Sequence, residues 1–245
     1  RIQAQTTGTL NAAQYNTGVG LASLDALTTG DNNTAVGYAA LTANTTGTTN
    51  TATGYYSLKS NTTGSGNTAS GIRSLQENTD GDYNTAFGNQ SLRLNTTGTN
   101  NTASGYLSLY SNTTAHYNTA IGFSALFDAN RTTDTDGYNT ALGYNAGNTG
   151  TNDVTTGNKN TLLGASTAAS AAAGTNQTVI GYGASGQANN SVTLGDANVT
   201  AVYMAQDKGA TVYAAGISLE NSETITNSTD GTVLITALTT SLSGD

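Results

Sequence analysis

Apolar and small residues return to the same places every 17 residues between Asn16 and Leu126, and Asn, Thr, Ser and Gly hold most places between them. The unit is clearest at Asn33-Thr-Ala-Val-Gly-Tyr-Ala-Ala-Leu41, and it returns at Asn50, Asn67, Asn84 and Asn101. With Asn as position 1, position 3 is Ala in six consecutive units, from Ala35 to Ala120. Position 8 is Ala or Ser, and position 9 is Leu in seven successive units, from Leu24 to Leu126. Such columns mark inward faces of a repeat in which each unit packs on its neighbours.

A 17-residue unit is too short for two helices and a turn, and Asn, Thr and Gly disfavour helix interiors. Each unit offers two strand-like pieces, Thr-Ala-x-Gly-Tyr and a Ser-Leu piece, joined by Asn-Thr-Thr-Gly turns such as Asn44 to Gly47. Gly and Asn there are expected to supply the positive φ of the turn. The pattern predicts an all-β fold, a parallel β-solenoid or β-roll. The position 5 glycines, from Gly20 to Gly195, count eleven coils. Stacked about 4.8 Å apart, they span roughly 50 Å.

Unit starts widen to a spacing of 21 at Asn139 and again at Asn160, return to 17 at Gln177 and shorten to 14 at Ser191. The widened coils are expected to bulge at Phe127 to Gly137 and at Asn148 to Lys159, and bulges on a regular scaffold are where recognition is often placed. Three parts follow: a lead-in at 1–15, a repeat shaft at 16–195 and a C-terminal β-rich segment at 196–245. Beginning at Arg1, the chain is expected to be a piece of a longer or processed protein.

Composition changes the picture in two ways. Only 36% of residues are hydrophobic and position 3 is Ala from Ala35 to Ala141, so a single solenoid buries little apolar area per coil. The Leu columns are therefore expected to be buried between chains, in a homo-oligomer. With 7 basic against 15 acidic residues and no basic run, nucleic acid and anionic membrane surfaces are poor partners. No apolar run approaches the ~20 residues of a spanning helix, so no membrane insertion is expected. The absence of Cys removes disulfides, thiolate metal sites and thiol nucleophiles.

The unit Asn-Thr-Ala-x-Gly-x-x-Ser-Leu resembles the head repeat of trimeric autotransporter adhesins, with Gln177-Thr-Val-Ile-Gly181 and Ser191-Val-Thr-Leu-Gly195 the nearest matches. The resemblance covers about 16–195 and implies a β-roll coiled in threes, although this unit is longer by an Asn-Thr-Thr-Gly turn. Ser191 to Asp207 and Gly209 to Gly216 are similar to the region that leads into an endosialidase-type intramolecular chaperone of phage tail fibres. That likeness implies a homotrimeric tail fibre shaft in a virion tail, with a bacterial surface glycan or protein receptor and other virion proteins as partners. The alternatives are an autotransporter head on a bacterial outer surface, a purely structural extracellular filament, and an ice-binding solenoid with an outward Thr column.

Chemistry is sparse, and neither an enzyme nor a cofactor or metal site is expected. The single histidine, His116, lies in a turn without an orienting partner or nucleophile in the pattern. Glu77, Asp80 and Asp82 share one turn, with nothing to set two of them across a cleft. Asp134-Thr-Asp-Gly137 lacks the ligand series of a calcium loop. Position 6 carries an aromatic stripe, Tyr38, Tyr55, Tyr106, Phe123 and Tyr144, interrupted by Ile72 and Asn89. Its rings suit either packing or sugar contact. Together with Asp128, Arg131, Asp134 and Asp136 of the first bulge, these five form the candidate surface-contact set. The Asn at position 1 is expected to stack into structural ladders.

Overall fold

The computed structural model describes residues 13–130, 132, 136–199 and 202. Most of the lead-in and of the C-terminal β-rich segment lies outside the described residues. Eleven short strands follow in order: β1 (Thr17–Val19), β2 (Thr34–Val36), β3 (Thr51–Thr53), β4 (Thr68–Ser70), β5 (Thr85–Phe87) and β6 (Thr102–Ser104), then β7 (Thr119–Ile121), β8 (Thr140–Leu142), β9 (Thr161–Leu163), β10 (Gln177–Ile180) and β11 (Ser191–Leu194). They form one parallel sheet in sequence order, and Thr pairs with Thr and Ala with Ala from β2 to β7. The fold is an all-β parallel solenoid with one strand per coil, and no helix occurs among the described residues.

The strands alternate strictly. Position 3 points inward and is fully buried from Ala35 to Ala141, while positions 2 and 4 point outward. The Ser-Leu piece is not a second strand. Its position 9 leucines, from Leu24 to Leu126, adopt left-handed φ values of 48° to 55°, and position 7, from Ala22 to Ser124, is left-handed too, at 49° to 58°. That conformation costs a non-glycine residue about 1–2 kcal/mol and breaks an extended run. The piece still stacks coil on coil, as in Leu41 N–H to Ser57 O at 3.1 Å.

The Leu columns correct the expectation of burial between chains. Every position 9 leucine from Leu24 to Leu126 is at most 1% exposed within one chain. The turn back at position 9 folds the leucine over the inward face of the strand, so a single coil closes its own core. Position 8 completes it: Ser57 Oγ donates to Ala69 O and Ser74 Oγ to Ala86 O.

Positive φ falls at positions 5, 7, 9 and 17, not in the Asn-Thr-Thr-Gly turn. The turn glycine is required by closeness instead: a Cβ on Gly64 would sit 2.5 Å from the carbonyl oxygen of Gly81. The turn asparagine serves the interior. Asn61, Asn78, Asn95 and Asn112 each donate to the Asn one coil earlier, and position 1 forms a second ladder, as in Asn84 Nδ2 to Asn67 Oδ1. Both ladders are buried, and the one at position 1 is the ladder that the sequence predicts. In such a setting each amide must find partners, and the neighbouring coil supplies them.

Candidate functional site

Positions 2, 4 and 6 flank the inward Ala and the close-packed Gly, so their side chains share the outer surface of the sheet. The position 6 aromatics remain exposed and stack along the solenoid. Tyr38 and Tyr55 lie 5.4 Å apart at 14°, Tyr106 and Phe123 at 5.2 Å, and Phe123 and Tyr144 at 5.2 Å and 18°. Tyr144 is 55% exposed. Intrachain packing therefore does not use them up.

Sequence reasoning missed that position 4 runs beside them. Val19, Val36, Phe87, Ile121, Leu142, Leu163, Ile180 and Leu194 are all exposed. Where position 4 is small, as at Thr53, Ser70 and Ser104, position 6 is Tyr55, Ile72 or Tyr106; where position 4 is Phe87, position 6 is Asn89. Every coil thus shows at least one large apolar side chain, and positions 2, 4 and 6 carry no charge through the first ten coils. The signal was legible as alternation around an inward Ala. The Thr column at position 2 also faces outward, from Thr17 to Thr178.

The remaining candidates lie elsewhere. Asp128 sits at position 11, in coil register, because Asn130 N–H still bonds Thr155 O of the next coil. Its carboxyl is held above the usual carboxylate range, first by burial and then by the nearby Asp153, against a bond from Ser111. Asp136 is at a different corner, where it accepts from Tyr138 Oη at 3.2 Å. Arg131 and Asp134 lie outside the described residues. The contact set is therefore dispersed over separate faces. The two widened coils also differ: the first inserts after Asn130, whereas the second inserts before Val154, whose N–H returns to Gly147 O.

A second aromatic column went unread at position 17. Tyr117 and Tyr138 stack at 4.9 Å and 4°, both exposed. Beside them His116 Nδ1 accepts the Thr99 N–H at 2.9 Å, which leaves the ring proton on Nε2. That bond belongs to a column at position 16, where Asp82 likewise accepts Ser65 N–H and Ser65 accepts Thr48 N–H. His116 is a coil-to-coil clasp.

The acidic turn is committed in the same way. Asp80 takes the hydroxyls of Thr63 and Thr62, and the Thr63 bond leads in holding its carboxyl below the ordinary range. Glu77 takes Ser60 Oγ and Gln76 Nε2. Among the described residues no group of three or more His, Cys, Asp or Glu is placed to hold a metal, and no helix is long and apolar enough to cross a membrane. A depression at the last coils is lined by Gly183, Ser185, Gln187, Thr193 and Asp196, and brings a single carboxylate. No protein-family model, characterised protein or solved structure matches the chain.

Proposed function

We propose that the chain is the shaft of a homotrimeric, non-enzymatic fibre that carries a receptor-contacting surface to a bacterial envelope, in a phage tail. The observation that carries this reading is the uncharged stripe of positions 4 and 6. Through the first ten coils its fifteen large apolar side chains are each at least 36% exposed. At roughly 60–100 Å² of outward area apiece they present on the order of 1,000 Å² per chain, against about 800 Å² per partner in a standard interface. Charge depletion with aromatic enrichment is the composition of an interface core, and a contiguous apolar surface of this size is unusual on a monomer. The threefold state and the viral setting rest on the resemblance of the repeat to trimeric adhesin heads and phage fibres.

In this reading the aromatic stripe holds chains together, and receptor contact belongs to the corner where the first insertion leaves the coil, around Asp136, Tyr117 and Tyr138. Three copies of a weak contact act together, so avidity supplies retention. Deleting residues 132–135 restores the 17-residue spacing. That variant is expected to keep the oligomeric mass and lose adsorption to a susceptible bacterium; undiminished adsorption would overturn the assignment of the receptor corner.

The outward Thr column favours one other reading, an ice-binding face. The unevenness of position 4, from Ser70 to Phe87, counts against it, because ice contact needs a flat array. Thermal hysteresis that disappears on replacing the Thr column would move this reading ahead.

A further inference from the structure

Coils 2 to 6 close the same polar knot. The amides of positions 1 and 12 both donate to the carbonyl of position 15: Asn50 and Asn61 to Gly64 O at 2.8 Å each, and Asn84 and Asn95 to Gly98 O at 2.8 and 2.9 Å. In coil 6 the acceptor is Ala115 O, reached from Asn101 at 2.8 Å and Asn112 at 3.1 Å. In coils 2 to 5 the position 12 amide also receives a donor from the next coil, as Asn95 Oδ1 does from Asn112.

Coil 7 breaks the knot twice. Its position 12 is Ala129, which has no amide to give Asn112. In the equally widened coil 8 the position 1 amide reaches a carbonyl eighteen residues on, Asn139 Nδ2 to Gly157 O at 3.0 Å, whereas Asn118 makes no such bond to Asp136, the residue at that distance. Asn112 Oδ1 and Asn118 Nδ2 are both buried without a partner, on side chains 0% and 1% exposed. Neither amide is free to turn over. Asn112 Nδ2 is committed to Asn95 Oδ1 and Ala115 O, and Asn118 Oδ1 accepts both N–H and Nδ2 of Asn139 at 3.1 Å. One orphan is therefore fixed as an acceptor and the other as a donor.

We propose that ordered water is a built-in part of coil 7, donating to Asn112 Oδ1 and accepting from Asn118 Nδ2. A cation would need acceptors on both sides, an anion donors on both, and only a group that gives and takes meets this pair. Buried water serves otherwise unsatisfied polar groups in this way. The water takes over from the missing asparagine and the displaced carbonyl, and lets the stack accept a four-residue insertion while the position 1 ladder runs on through Asn139 to Asn160.

The test is a crystal structure of the full chain at atomic resolution beside that of Ala129→Asn. The expected result is water density within hydrogen-bond distance of both Asn112 Oδ1 and Asn118 Nδ2. In the variant the new amide is expected to replace the water at Asn112 and to raise Tm. A protein carbonyl on Asn118 Nδ2, or a dry, collapsed contact between the two amides, would overturn the proposal. If the variant does not fold, the wild-type density alone decides.

Discussion

Asn84 shows what one residue does here. Its Oδ1 accepts the backbone N–H and the amide of Asn101, and its own amide reaches Gly98 O. Asn84→Ala strands a buried N–H and breaks the ladder, an expected loss of about 2–4 kcal/mol in a urea titration. Gly88 tolerates no side chain: its φ is 128° and a Cβ would lie 2.6 Å from Gly105 O. Gly88→Ala is predicted to cost at least about 3 kcal/mol or to prevent folding. Asp128 works in the other direction. A folded carboxyl value raised above the unfolded one penalises the ionised form, so this group's cost is present at neutral pH and is relieved as pH falls through the folded value. Asp128→Asn is expected to raise Tm at neutral pH, with the gain shrinking to nothing below about pH 4. At this scale the repeat announced the inward Ala and the Asn ladder, because both recur at one position. It did not announce left-handed leucines at position 9, since φ leaves no mark on a side chain chosen for the core.

The coil is the next unit, and its energy rests on one leucine over one alanine. Leu75 and Ala69 are both fully buried in the same coil. Leu75→Ala is expected to cost about 2–5 kcal/mol by thermal melting, towards the upper end if the coils above and below hold the cavity open. Counting glycines at position 5 gave the number of strands, eleven among the described residues, and the widened spacings marked the two insertions. Their placement at different corners was not legible, because spacing reports how many residues are added and not where the register resumes. Only partners such as Asn130 with Thr155, and Val154 with Gly147, locate that. The same blindness hid the stripe: the sixth position was read alone, while its partnership with position 4 follows from which side of β2 to β11 faces out.

For the solenoid as a whole the decisive contrast is between a core that closes within one chain and an outer stripe that stays apolar and uncharged along it. Self-closure removes the original argument for oligomerisation from the Leu columns, and the stripe supplies a different one. Charging it at the centre, with Phe123→Glu and Leu142→Glu together, is expected to split the assembly into folded single chains with an unchanged far-ultraviolet circular dichroism spectrum, since both side chains point away from the core. The most direct measurement is the molar mass of the native chain by light scattering. The account predicts three times the 24.6 kDa of one chain, falling to one chain in the double variant. A wild-type chain that stays at 24.6 kDa would contradict it and leave the stripe without its partner.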